Sequence, residues 1–458
     1  MIHCELAGTG RSLRSAHGAL EEAASLTDAI GVTTVRTAIV NLDSPRPATF
    51  LGQGKVDEVK GWLEDGDGIG LVIVNAQLSP VQHRNLERAW KVKVLDRTAL
   101  ILEIFGERAQ TKEGTLQVAL AHLTFQRSRL VRSWTHLERQ RGGAGFLGGP
   151  GERQIESDRR ILAEKIDRLK AELEEVRRTR NLQRRKRQRA PQPVVALVGY
   201  TNAGKSTLFK RITGQETFAR DLLFATLDPL MRKIALPSGT DAILSDTVGF
   251  ISDLPTHLVA AFRATLEEVL EADIVVHVRD ISHDETDAQR ADVLKVLAEL
   301  GLTDESDAVF IEAWNKIDSL PGALLSPEGV DAAPGGPTAD ELRATARGRA
   351  KHAEGTPSDP LTVAVSALTG EGVEDLLALI DRELTAMRRE VAFHLPPSAG
   401  EAAAWLYRHG DVLSDEAGES GARTILVRLE PRDVGRFEKS FGLVPEGLAA
   451  PAREAASF

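Results

Sequence analysis

A short apolar run, Val194–Val198, leads straight into Gly199-Tyr200-Thr201-Asn202-Ala203-Gly204-Lys205-Ser206. No other stretch constrains the fold as tightly. The Gly-x4-Gly-Lys-Ser pattern needs a strand before it and a helix after it, because the loop must turn backbone N–H groups around phosphate oxygens. Lys205 supplies a cation to the β- and γ-phosphates and Ser206 offers a hydroxyl to Mg²⁺. The helix from about Ser206 to Ile212 points its N-terminus at the anion. Residues 191–385 alternate strand and helix signals, which predicts an α/β domain. Its strands are expected at Val194–Val198, Met231–Leu236, Ala242–Ser245, Ile274–Val278, Val309–Ala313 and Leu361–Val365. Pro237–Thr240 reads as a hairpin turn, and residues 321–360, rich in Gly, Pro, Ala and Asp, as a mobile insertion.

Three further segments follow in order. Asp246-Thr247-Val248-Gly249 closes an apolar run 41 residues after Lys205. Asp246 can hold Mg²⁺ through a water, and Gly249 can offer its N–H to the γ-phosphate. Asn315-Lys316-Ile317-Asp318 follows Val309–Trp314. Guanine presents N1–H and an amino group on one edge, and a carboxylate such as Asp318 can accept from both. Ser366-Ala367-Leu368, after the last strand, can offer a backbone N–H to guanine O6, and Ser366 can cap a helix without conflict. These residues predict binding of GTP and GDP, with Lys205 and Gly249 as candidate catalytic residues.

The flanks pose a separate question. A chain of 458 residues suits about three domains. With 42% apolar and 27% charged residues it has the balance of a soluble globular protein. No apolar run of 18 residues appears, so no transmembrane helix is expected. Met1–Arg14 lacks the pattern of a secretory signal, and Cys4 is the only cysteine, which fits the cytoplasm. Residues 1–110 read as an N-terminal α/β domain. Its strands are expected at 34–40, 69–74 and Val92–Leu95, its helices at Lys55–Glu64 and Pro80–Trp90.

Residues 111–190 differ. Leu116, Leu120, Leu123, Leu130, Trp134 and Leu137 step by three, four or seven, as do Ile155, Leu162, Ile166, Leu169, Leu173 and Val176. That period predicts an antiparallel, coiled-coil-like helical hairpin. Its tip, Gly142–Gly151, contains Phe146, Leu147, Gly148 and Gly149, and reads either as a flexible connection or as a loop that approaches a partner closely. The net charge is −10, yet residues 177–189 hold eight cations and no acid: Arg177, Arg178, Arg180, Arg184, Arg185, Lys186, Arg187 and Arg189. A solvated helix end and an RNA contact both fit this tract. Residues 386–458 read as a small C-terminal α+β domain, with a βαβα-like order of Glu390–Leu395, Glu401–His409, Thr424–Leu429 and Asp433–Phe441.

The four segments resemble the translation-factor-related GTPases. Phe224-Ala225-Thr226-Leu227-Asp228 resembles the switch I segment of one branch, which implies that Thr226 ligates Mg²⁺ and the γ-phosphate and adds it to the candidate catalytic residues. Gly52-Gln53-Gly54-Lys55-Val56-Asp57-Glu58, the tip with its Gly148, Gly149 and Gly151, and Ile155–Arg160 are similar to the HflX family of ribosome-associated GTPases. The resemblance covers nearly the whole chain. It implies GTP hydrolysis stimulated by the large ribosomal subunit, and the splitting or rescue of stalled ribosomes under stress. It also implies rRNA contacts for the tip and for residues 177–189. Some relatives hydrolyse ATP in the N-terminal domain, but Gly52–Lys55 lacks the phosphate-loop spacing and reads as a loop structure first.

Phe250 stands where many GTPases carry a water-orienting glutamine, so hydrolysis is expected to be slow without a partner. Asn202 fits a K⁺ ion bridging the phosphates, as in some relatives, or simply a residue supporting the loop's geometry. Two other functions stand beside ribosome action: a GTP-regulated RNA-modification factor, and a nucleotide-gated scaffold in which hydrolysis only recycles the protein. A lone Cys4 argues against the first of these. A monomer is expected.

Overall fold

The computed structural model describes residues 1–6, 14–65, 68–140, 150–187, 192–214, 224, 230–252, 266, 268–320, 338–418, 421–429 and 431–445. Three sheets organise them. The first is parallel, with β1 (Ile2–Leu6), β2 (Ala38–Leu42), β3 (Leu71–Asn75) and β4 (Lys93–Asp96) in the order β2-β1-β3-β4. Helices α1 (Ala16–Asp28), α2 (Gln53–Glu64) and α3 (Pro80–Trp90) connect the strands. Ser79 and Gln82 close a capping box at the start of α3, with Pro80 in its first turn. The strand expected at 34–40 begins at Ala38 instead.

Helix α4 (Arg97–Arg108) follows β4 directly, and its apolar residues Leu100, Ile101, Leu102, Ile104 and Phe105 are all buried. It leads into α5 (Lys112–Gln140), which packs against α6 (Pro150–Arg187) to form the predicted hairpin. Ile166 and Leu173 of α6 are buried, as the spacing of the apolar seam requires. Most of the basic tract lies on this helix, which runs on to Arg187. At the other end Gly151 lies in the first turn of α6, after Pro150, and not in the tip loop. Gly148, Gly149 and Arg189 fall outside the described residues.

The second sheet places β5 (Val194–Gly199), β6 (Leu230–Ala235), β7 (Asp241–Asp246), β8 (Ile274–Asp280), β9 (Val309–Asn315) and β10 (Leu361–Ala364) in the order β10-β9-β8-β5-β7-β6. Only β6 runs antiparallel to its neighbour, through the hairpin predicted at Pro237–Thr240. Helices α7 (Lys205–Thr213), α8 (Thr286–Leu300), α9 (Ala339–His352) and α10 (Val373–Ala386) accompany it. Strand order reverses at β5, and ligands of open α/β sheets bind at such a switch point. Helix α9 corrects the expected mobile insertion over 338–352. A capping box of Thr338 and Glu341 starts it, and Ala339, Leu342 and Ala346 bury its inner face.

The third sheet is antiparallel: β11 (Arg389–Leu395), β12 (Asp411–Ala417) and β13 (Arg423–Leu429), in the order β11-β13-β12. Helices α11 (Gly400–His409) and α12 (Pro431–Phe441) bring Trp405 and Phe437 against it, and the Phe393 and Phe437 rings lie 4.3 Å apart. The order is therefore βαββα and not βαβα, because Asp411–Ala417 adds a strand. Among the described residues no helix is long and apolar enough to cross a membrane.

A buried ionic cluster braces the second sheet. Glu312 on β9 accepts from Arg279 Nη1 (3.0 Å), from Trp314 Nε1 (3.1 Å) and from Arg290. Burial pushes its carboxyl up, but His277, Arg279 and Arg290 outweigh this and hold it at about 2. His277 on β8 is 1% exposed, and burial lowers its pKa to about 3. Glu312 favours the charged form, whereas Arg279, Arg290 and Lys205 oppose it. The folded state thus declines a proton that the unfolded chain accepts near pH 6.5, so stability is lost as pH falls below that value. Between pH 6.5 and 5 the loss from His277 should reach roughly 2 kcal/mol. His277→Leu should therefore flatten the fall in thermal stability over that interval, as measured by melting temperature against pH.

Candidate nucleotide site

Lys205 opens α7 at the C-terminal end of β5 and is 6% exposed. Its Nζ donates to the carbonyl oxygens of Gly199 (3.1 Å) and Tyr200 (2.8 Å). Burial lowers its pKa to about 8, with Asp246 opposing the fall. Such a cation gains from any anion that enters the loop. Gly204 has φ +92°, and a Cβ there would lie 2.2 Å from Asn315 Nδ2. Only glycine satisfies both the turn and that contact. Thr201 and Ala203 are buried, whereas Asn202 is exposed with φ +59°, a conformation asparagine tolerates well.

Ser206 Oγ donates to Asp246 Oδ2 at 2.7 Å. Two oxygen donors predicted from separate segments therefore sit side by side, the chemistry that Mg²⁺ prefers when phosphate oxygens and water complete its shell. The next residues are tethered to β5 and its loop. Thr247 Oγ1 donates to Leu197 O (2.6 Å), Phe250 N to Gly199 O (3.1 Å), and Thr201 N to Phe250 O (2.7 Å). Val248 is buried, and the Phe250 ring is 1% exposed. Phe250 thus packs into the core, and its ring offers no polar atom. Gly249 sits tightly against the loop: a Cβ there would lie 2.9 Å from Thr201 Cγ2 and 3.1 Å from Lys205 Nζ.

The guanine half is joined to this phosphate half. Asn315, 1% exposed, donates from Nδ2 to Ala203 O (2.8 Å) and accepts at Oδ1 from Ala367 N (2.9 Å). Lys316 has φ +65°, and its Nζ lies 2.8 Å from Asp280 Oδ2. Ile317 is fully buried in a small cluster with Trp314 and Leu342. Half-buried Asp318 accepts from Ser366 Oγ at 2.5 Å, and Ser366 Oγ also accepts from Thr369 N at 3.0 Å. Ser366 therefore braces its own turn and orients Asp318 at once. Leu368 is 62% exposed. Arg211 donates to the carbonyl oxygens of Ala367 (3.2 Å) and Leu368. Neither Arg211 nor Asp280 belongs to a recognisable segment, so only the fold reveals them.

Phe224 is buried and meets Phe105 edge-on, with centroids 4.7 Å apart. Ala225, Thr226, Leu227 and Asp228 lie outside the described residues. Arg177, Arg178, Arg180, Arg184, Arg185, Lys186 and Arg187 all lie on the helical backbone of α6, and the Arg178 side chain is exposed.

A phosphate loop at a strand-order reversal, a paired hydroxyl and carboxylate, and an Asn-Lys-x-Asp loop tied to both define a P-loop GTPase. Family models match in succession: "GTP-binding GTPase N-terminal" over residues 17–106 and "GTP-binding GTPase Middle Region" over 108–187. "50S ribosome-binding GTPase" matches 194–316, and "HflX C-terminal domain" matches 351–450. GTPase HflX of Magnetococcus marinus is 46% identical over 92% of this chain and 90% of its own. That of Lacrimispora saccharolytica is 40% identical over 89% and 88%, and that of Escherichia coli 39% over 92% of each. The chain belongs to the HflX family of GTPases and is a GTP-hydrolysing enzyme.

Because a bound phosphate favours the charged form of Lys205, nucleotide affinity should depend on pH. GDP affinity should be flat below pH 8 and fall by up to about tenfold per unit above it. A fluorescence titration of GDP across pH 7 to 9.5 checks this, and Lys205→Arg should abolish the decline.

Proposed function

We propose that this GTPase acts on the large ribosomal subunit, docking through its helical arm and splitting or rescuing stalled ribosomes in the cytoplasm. The observation that carries the reading is α6, a single helix of 38 residues that bears seven of the eight tract cations. At 1.5 Å per residue it extends about 57 Å. Its seam holds α5 while its C-terminal third is basic, in a chain of net charge −10. The concentration of cations on one helix suits a polyanion such as rRNA. The family description "50S ribosome-binding GTPase" supports the same partner. The RNA-modification alternative gains nothing from Cys4, whose thiol burial pushes up to about 12, far from a nucleophile.

At the site, Gly199–Ser206 hold the phosphates, and Lys205 neutralises charge on the transferred group. Ser206 and Thr226, with Asp246 through a water, would hold Mg²⁺, which supplies further charge neutralisation there. Gly249 contacts the γ-phosphate, and Asp318 selects guanine with Asn315 as its frame. No side chain at position 250 orients water, so the ribosome supplies what is missing. GTP turnover in K⁺ and in Na⁺, with and without ribosomes, tests the role of Asn202; equal rates would leave it with loop geometry alone. For sequence-based truncation, 1–110, 111–190, 191–385 and 386–458 serve as working units.

Two experiments test this reading. Sedimentation with ribosomes should place the protein on large subunits with a non-hydrolysable GTP analogue and release it with GDP. Replacing Arg184, Arg185, Lys186 and Arg187 by alanine should weaken that association and lower the slope of log affinity on log salt by roughly 3. An unchanged slope would remove the tract from the interface. Separately, Asp318→Asn should weaken GDP by about 100-fold or more, by loss of two charge-assisted hydrogen bonds, and raise affinity for xanthosine diphosphate.

A further inference from the structure

The N-terminal sheet's helices touch the GTPase site at a cluster that none of the nucleotide segments accounts for. Its centre is Glu22 on α1. The carboxylate accepts from Arg14 Nη1 (2.7 Å), Ser252 Oγ (2.8 Å), Arg97 and the Tyr200 hydroxyl. Four donors fill the capacity of an ionised carboxylate. Burial alone would push Glu22 up, but Arg97, Arg14 and the Tyr200 hydroxyl outweigh it and hold it at about 2. The Tyr200 hydroxyl also accepts from Ser252 N at 2.6 Å. Arg97, the first residue of α4, donates to Ser252 O (2.9 Å), Ser252 Oγ (2.7 Å) and Asn75 Oδ1 (2.7 Å). Tyr200 lies in the phosphate loop, and Ser252 lies three residues beyond Gly249.

The cluster is anchored on both sides. Arg14 Nη2 reaches Asp292 of α8 at 2.7 Å, and Ser15 N and Oγ donate to Glu285 at 2.8 and 2.9 Å. Asp96, fully buried, caps α4 through Ala99 N (2.8 Å) and pairs with Arg129 of α5 (3.1 Å). Charges buried at an interface are costly unless their geometry is complete, so such a cluster sets one register of the two surfaces more than it adds stability. The segment it holds has little freedom left. Thr247 is tied to β5, Phe250 is paired on both backbone faces, and Ser252 is held by Tyr200, Arg97 and Glu22. Gly249 lies between these tethers, against Lys205.

We propose that Glu22, Arg97 and the Tyr200 hydroxyl are positioning residues for GTP hydrolysis, holding the Gly249–Ser252 segment ready for the γ-phosphate. The N-terminal sheet thereby contributes to the reaction without touching the nucleotide. The proposal rests on the assignment of Gly249 to the γ-phosphate, so the test includes a control for that assignment.

In the full-length protein, GDP and a non-hydrolysable GTP analogue are titrated against wild type, Tyr200→Phe, Glu22→Gln, the double variant and Gly249→Ala, with GTP turnover and thermal unfolding recorded for each. Tyr200→Phe removes one oxygen and leaves the loop backbone in place. Its GDP affinity should stay within about twofold, while analogue affinity and kcat fall about tenfold, the size of one hydrogen bond to a charged network. The double variant should lose no more than the worse single variant, because the two groups act as one unit. Equal loss of GDP and analogue binding, an unchanged ratio, a raised kcat, or additive losses would each overturn the proposal. If Gly249→Ala leaves the analogue preference intact, the γ-phosphate assignment itself fails and the proposal falls with it. If Gly249→Ala abolishes the preference and Tyr200→Phe does not alter it, only the positioning role is lost.

Discussion

An ammonium group buried at the end of a strand is the constraint around which the GTPase half of this molecule is arranged. Lys205 has two backbone carbonyls and the nearby charge of Asp246, too little to keep its pKa at the usual lysine value. The deficit is tolerable because an anion completes the site. Placing that ammonium requires the reversal of strand order at β5, the left-handed turn at Gly204, and α7 beginning at once. The carbonyls that hold Lys205 belong to Gly199 and Tyr200, and Gly199 also receives Phe250 N. The segment that follows Gly249 is thus hydrogen-bonded to the same stretch that holds the cation.

How much of this was legible in the sequence depended on whether the signal was local. The central strands β5, β8 and β9 of the second sheet are buried on both faces, and apolar runs announced them and β7 to within a few residues. Pro80 and Trp90 bounded α3 outright. β1 escaped although Ile2–Leu6 alternates apolar and polar residues, because five residues with His3 and Glu5 among them give only a short signal for a strand that pairs on both sides. α4 is apolar nearly all round, which leaves no stripe to betray a helix. β12 is an edge strand rich in acids, the composition that protects an edge but disguises a strand. α9 hid inside a stretch whose glycines and prolines suggested no structure, although its capping box was there to be read.

The candidate nucleotide segments stood out because each is a short local pattern in a fixed order. Their connections did not. Asn315 could be read as part of a guanine loop, but its bond to Ala203 links positions 112 residues apart. The Glu22–Tyr200 bond spans 178 residues, and no periodicity or spacing encodes it. Gly151 was assigned to a loop because glycine and proline commonly end helices, whereas Pro150 begins one here.

The strut at Asn315 has a consequence for how a ligand is held. One side chain clamps the phosphate loop with its amide nitrogen and the base loop with its amide oxygen. The two loops are therefore held in one fixed relation. A molecule carrying both a guanine and a pyrophosphate pays the entropy of capture only once, so its affinity exceeds the product of what either fragment achieves alone. On the proposed assignment the site would act as a chelator for an intact nucleotide, its grip set as much by the fixed distance between its ends as by the contacts at either one.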